Sequence, residues 1–149
     1  MSVDNYVFVE RRKMPSPEAW ADAVKAHGFA MEMDTDFDAE EFEGFLPCIY
    51  KGEAAGFEYF FDEVDPEWLA EWLSQDEIEQ IGERDVMVTL VTHSDCREAL
   101  TSVIAAGVLC TMADGVLAEN GEPPLIPAGE AIGWARAGEA ELASMIEDG

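Results

Sequence analysis

Residues 45–64 read FLPCIYKGEAAGFEYFFDEV, and the fold turns on how this stretch divides. Phe45 to Lys51 and Phe57 to Val64 are rich in aromatic and branched apolar side chains, the composition of β-strands. Between them, Gly52-Glu53-Ala54-Ala55-Gly56 is a hairpin-length connection with glycine at both ends, so the two strands should pair antiparallel. Phe57, Tyr59, Phe60 and Phe61 set aromatics on both faces of the second strand, with Glu58, Asp62 and Glu63 among them. Packing on two sides is the plain account. The alternative is an exposed surface in which aromatics anchor a partner and acids form the rim.

Working outward, Asp4 to Glu10 reads as a strand, and Ser16-Pro17 is an N-cap followed by proline at the first helical position. The helix over 17–27 aligns Trp20, Ala23, Val24 and His27, and Gly28 closes it. Residues 29–33 alternate as a further strand, and 34–43 reads as a loop. Downstream, Asp65-Pro66 repeats the helix-start signal for a short helix through Leu73, and a second short helix covers 75–81. Val86 to Val91 is apolar at nearly every position and should be a central strand. Ser94 is placed to cap a helix over 95–113, whose apolar residues are too many for one stripe and require deep packing. A short strand at 116–118, a turn at Asn120-Gly121, a connection stiffened by Pro123 and Pro124, and an amphipathic helix over 128–146 complete the chain. The order predicts one α+β domain over 1–149, with a mixed, mostly antiparallel sheet of about five to seven strands and about four helices.

The 149 residues carry 33 acids against 8 bases, a formal net charge of −25. A compact monomer of this mass exposes roughly 7,500 Å², so one net negative charge falls on about every 300 Å² of surface. Such a field repels phosphate backbones and anionic lipid, which argues against nucleic-acid and membrane partners. The hydrophobic fraction of 48% is enough for a core, so the charge does not signal disorder. No acidic tail exists: residues 1–74 sum to −13 and residues 75–149 to −12. Two stretches are locally dense. Glu32 to Glu43 has seven acids and no base, and Glu58 to Asp85 has eleven acids against Arg84.

Cys48, Cys96 and Cys110 are an odd, widely spaced set, and Met1 to Val9 lacks the pattern of a signal peptide. Both point to reduced thiols and the cytoplasm. Asp34, Asp36 and Asp38 stand at positions 1, 3 and 5 of an EF-hand-like opening, but Ala39 replaces the turn glycine and Phe45 the closing glutamate. No metal or cofactor is expected. His93, Asp95 and Cys96 lie together before a helix without a glycine-flanked elbow, so a structural thiol is the simpler account. Carboxylate pairs such as Glu40/Glu41 and Asp62/Glu63 are common in so acidic a chain, and no spacing singles one out. Arg11-Arg12-Lys13, the only basic run, reads as a solvated strand end answering the negative field.

Three stretches, Gly56-Phe57-Glu58-Tyr59-Phe60-Phe61, Asp85-Val86-Met87-Val88-Thr89-Leu90, and Ala105-Ala106 leading to Asp114-Gly115-Val116-Leu117, resemble small acidic proteobacterial proteins of immunity type. These accompany secreted or contact-dependent bacterial toxins. The resemblance implies a non-enzymatic antidote, monomeric or homodimeric, that neutralises a basic partner such as a nuclease domain. Residues expected at the contact are Asp34, Asp36, Asp38, Glu40, Glu41, Glu43, Glu58, Tyr59, Asp62, Glu63, Trp68 and Trp72. The competing readings are a carboxylate-based or metal-dependent hydrolase, a DNA mimic, and salt adaptation.

Overall fold

The computed structural model describes residues 2–148. In chain order the elements are β1 (Val3–Val9), a 3-10 turn (Arg11–Lys13), α1 (Pro17–Ala26), β2 (Met31–Met33), β3 (Gly44–Tyr50) and β4 (Glu53–Glu63). There follow α2 (Pro66–Trp72), α3 (Gln75–Ile81), β5 (Val86–Thr92), α4 (Cys96–Met112), β6 (Val116–Glu119), β7 (Glu122–Pro127) and α5 (Ala128–Asp148). The fold is α+β. Its seven strands form one sheet in the order β2-β3-β4-β5-β1-β6-β7, and every pairing is antiparallel. The apolar run at β5 sits in the middle, as its composition requires.

Three local expectations are corrected. The β3–β4 hairpin closes on two residues, not five: Lys51 and Gly52 both have positive φ, 49° and 83°, and Tyr50 pairs directly with Glu53. Positive φ at both central positions is the turn whose twist matches a hairpin, so Glu53 to Gly56 becomes strand. Second, the Pro123-Pro124 segment belongs to β7, an edge strand, where a missing N–H breaks no inner ladder. Third, α4 is capped by Asp95 and not Ser94; the Asp95 carboxylate accepts from the N–H groups of Arg97 and Glu98 at 2.9 and 3.0 Å.

α1, α4 and α5 cover one face of the sheet. Val7, Val9, Leu46, Phe57, Tyr59, Val86, Val88 and Leu90 meet Trp20, Leu100, Ile104 and Leu109 there. Trp20 is fully buried and its indole N–H donates to the Ala105 carbonyl at 3.0 Å, so its bulk enters without an orphaned donor. α4 and α5 touch almost backbone to backbone: a Cβ added at Gly107 would lie 2.6 Å from that of Ala135. On the opposite face, α2 and α3 bury Leu69, Leu73 and Ile81 against Phe8, Met87, Val116, Ala118 and Leu125. Those residues belong to β5, β1, β6 and β7. Consequently α2 and α3 cover only one half of this second face, and the β2–β3–β4 half has no helix over it.

Candidate functional site

The acidic loop 34–43 commits two of its carboxylates to its own backbone. Asp34 accepts from the Asp36 N–H at 3.2 Å, and Asp38 from those of Glu40 and Glu41 at 2.9 and 3.2 Å. Phe37 and Phe42 fasten the loop to the ring of Tyr59, 5.3 and 6.1 Å away. The Tyr59 hydroxyl donates to the Ala39 carbonyl. Tyr59 is fully buried, so it cannot be a contact residue; it anchors the loop from within. Burial, reinforced by Asp38 and Glu40, pushes its hydroxyl pKa well above the usual tyrosine value. Among the described residues, no group of three or more His, Cys, Asp or Glu side chains is gathered to hold a metal ion.

Arg11 joins the two acidic stretches. Its guanidinium lies 3.5 Å from Glu40 and 3.3 Å from Glu63, and 5.8 Å from the ring centroid of Phe61. Arg12 pairs with Glu10, and Lys13 with Glu10 and Asp114. The basic run therefore neutralises specific carboxylates at one end of the sheet. Asp36, Asp38, Glu41 and Glu43 remain exposed there, with no ion pair among the described residues. Trp68 and Trp72 are half-buried and flank Tyr6, each with centroids 5.7 Å from it. They stack α2 on the sheet, on the half that is already covered.

On the open half the geometry is different. Along β3, Leu46, Cys48 and Tyr50 point into the core, so Phe45, Pro47 and Ile49 share the outer face. Phe45 is 48% exposed, Ile49 is 43% exposed, and Pro47 between them is exposed as well. The Phe45 ring lies over Gly56 on β4: a Cβ there would meet its Cζ at 2.7 Å. Acids stand on both sides of this apolar line. Glu32 on β2 lies opposite Ile49, and Glu58 on β4 opposite Phe45. By the same alternation Phe60 and Asp62 of β4 share this face. Beside the line, Glu32, Asp34, Pro47 and Ile49 border a shallow groove of about 340 Å³.

Two of the three thiols are buried. Burial, with a contribution from Asp34, pushes the Cys48 thiol up to about 12, and burial does the same for Cys110. Neither is a thiolate at neutral pH. His93 bonds Glu58 at 3.2 Å, while Asp95 is committed to the α4 cap, so His93, Asp95 and Cys96 form no relay. Of the contact residues expected from sequence, Glu58 lies on the open face and Asp34 at its edge, while Asp62 lies further along β4, past the end of β3 and opposite Met87. Asp36, Asp38, Glu40, Glu41, Glu43 and Glu63 gather at the sheet end, and Tyr59, Trp68 and Trp72 serve packing. The residues missed were Phe45, Pro47 and Ile49. Their signal was present: FLPCIY is apolar at both alternating positions, which needs either two covered faces or one open apolar one. Comparison with protein-family models, with curated proteins and with solved structures finds no match.

Proposed function

We propose that this protein is a non-catalytic binder that captures a basic protein partner on the open half of its sheet, and that it neutralises a toxin domain such as a nuclease. One observation carries the reading: Phe45, Pro47 and Ile49 form an exposed apolar line between the carboxylates of Glu32 and Glu58. Apolar anchors inside a polar rim are the anatomy of a protein interface. The net charge of −25 over 7456 Å² of surface supplies long-range attraction for a cationic partner. A nuclease must present cations to hold phosphate, so its active surface has the matching sign. We place the protein in the cytoplasm, where its three free cysteines stay reduced.

The test is capture from native cell extract at low salt, with identification of what is retained by wild type and by a Phe45→Ser/Ile49→Ser variant. The expected result is a basic protein that salt releases and that the variant no longer retains. Retention of the same proteins by both forms, or of no basic protein by wild type, would refute the reading.

A further inference from the structure

We infer that the partner contacts the open face with a cationic amphipathic helix, laid on β2–β4 as α2 and α3 lie on the other half of the same face. This rests on the reading that the open face binds a basic protein. Three features of the face select a helix.

The first is size. Neighbouring strands lie about 4.8 Å apart, so β2 to β4 spans roughly 10 Å, close to the 10–12 Å diameter of one helix with its side chains. Phe45 to Ile49 covers about 13 Å along the strand, which is two to three helical turns. The second is charge. Glu32 borders the apolar line from β2 beside Ile49, and Glu58 borders it from β4 beside Phe45. A narrow apolar stripe with lysines or arginines on both shoulders is the complementary pattern, and the helical period of 3.6 supplies both shoulders at once. The third is the layer itself. α2 and α3 already bury the β5, β1, β6 and β7 half of this face, so a helix beside them completes a second layer on one sheet.

Other occupants fit less well. An added strand would have to pair with β2, whose three residues, Met31–Met33, offer a short edge, and it would leave Phe45 and Ile49 uncovered. A second copy of this chain would bring another −25 against the first. A single helix covers less than the roughly 800 Å² per side of a standard interface. The acidic end of the sheet, with Asp36, Asp38, Glu41 and Glu43, is therefore the place where the rest of the partner's cationic surface settles.

The probe is an 18-residue leucine–lysine peptide with leucines on one helical stripe. Controls are a scrambled peptide of the same composition and a leucine–glutamate version. Binding is followed by fluorescence anisotropy, and the isoleucine methyl signals of the unmodified protein are recorded by NMR. The patterned cationic peptide should bind at least tenfold tighter than the scrambled one and should shift Ile49 first among the isoleucines. Phe45→Ser/Ile49→Ser should weaken it at least tenfold, and Glu32→Gln/Glu58→Gln should weaken it severalfold in a way that added salt erases. The acidic peptide should not bind. Equal binding of patterned and scrambled peptides, or an Ile49 signal that does not move, would overturn the helix assignment. If extract capture still depends on Phe45 and Ile49 in that event, the basic-partner reading survives and only the helical geometry falls. Loss of both removes the two together.

Discussion

Replacing Arg11 with alanine should loosen the sheet end where the acidic stretches meet, and the loss should depend on salt. Arg11 is 44% exposed and lies 3.5 Å from Glu40 and 3.3 Å from Glu63. Each pair at such exposure is worth about 0.2–1 kcal/mol. The stacking over Phe61 at 5.8 Å adds about 0.5 kcal/mol. Its removal also leaves Glu40 and Glu63 facing each other without a cation. The summed loss is about 1–2 kcal/mol at low ionic strength. Screening decides what survives: the Debye length falls from about 10 Å at 0.1 M salt to about 3 Å at 1 M. In 1 M sodium chloride only the aliphatic packing of the arginine stem should remain, about 0.5 kcal/mol or less. Urea unfolding of wild type and Arg11→Ala at 20 mM and 1 M sodium chloride measures both quantities. Limited proteolysis should show earlier cleavage in 34–43 for the variant at low salt. A destabilisation that does not change between the two salt concentrations would refute the assignment of Arg11 as an electrostatic clamp.

Gly56→Ala should destabilise the protein by about 1–3 kcal/mol through overpacking, because its new Cβ would lie 2.4 Å from the Leu46 carbonyl oxygen and 2.7 Å from Phe45 at a φ of +137°. An unchanged or raised urea midpoint, the usual result of a compatible Gly→Ala change, would contradict that geometry. Stability should fall as pH rises above 9. The unfolded chain releases the Cys48 and Cys110 protons near their ordinary value of 9.0, whereas the native state holds them to about 12. Across that window the native state binds more protons, with a slope of up to about 1.4 kcal/mol per pH unit for each thiol. The urea midpoint at pH 8 and pH 10 tests this, and a decline of equal size in Cys48→Ala/Cys110→Ala would show that the thiols are not its cause. Finally, 1 M salt should permit weak self-association through the open face, seen by light scattering and removed by Phe45→Ser; association that ignores this substitution would place the contact elsewhere.

The elements legible in the sequence are those whose signals are local. Ser16-Pro17 and Asp65-Pro66 start helices because one side chain and one fixed φ do the work. The apolar saturation of Val86–Val91 required a strand covered on both faces, and β5 is the centre of the sheet. Lys51-Gly52 was missed as a hairpin turn because lysine carries no preference for positive φ, and Ala54-Ala55 has weak strand propensity. β7 was missed because two prolines argue against a strand unless it is known to be at an edge. The site was the least legible part. Which of Phe57, Tyr59, Phe60 and Phe61 turn inward depends on register, and an apolar strand face reads the same whether or not a helix covers it. Phe45 and Ile49 are exposed because α2 and α3, distant in sequence, stop over β5. No window around residues 45–49 contains that information.

An uncovered apolar face on a sheet is ordinarily a hazard, because identical copies can pair through it. Here the charge changes the balance of partners. Two copies brought together through this face would press Glu32 and Glu58 of one against the same groups of the other, in a field already set by −25 per chain. A cationic partner meets the same groups with attraction. The placement of the few bases reinforces the distinction. Arg11, Arg12, Lys13 and Arg84 pair with Glu10, Glu40, Glu63 and Asp114 where the sheet ends, whereas beside the open face stand His93, 3.2 Å from Glu58, Lys25, 3.8 Å from Glu32, and Lys51 at the hairpin turn next to Ile49. Four of the eight bases thus hold the sheet end together, while the lysines near the apolar line stand at its Ile49 end. Specificity is a difference between affinities, and on this face the carboxylates lower one term while raising the other.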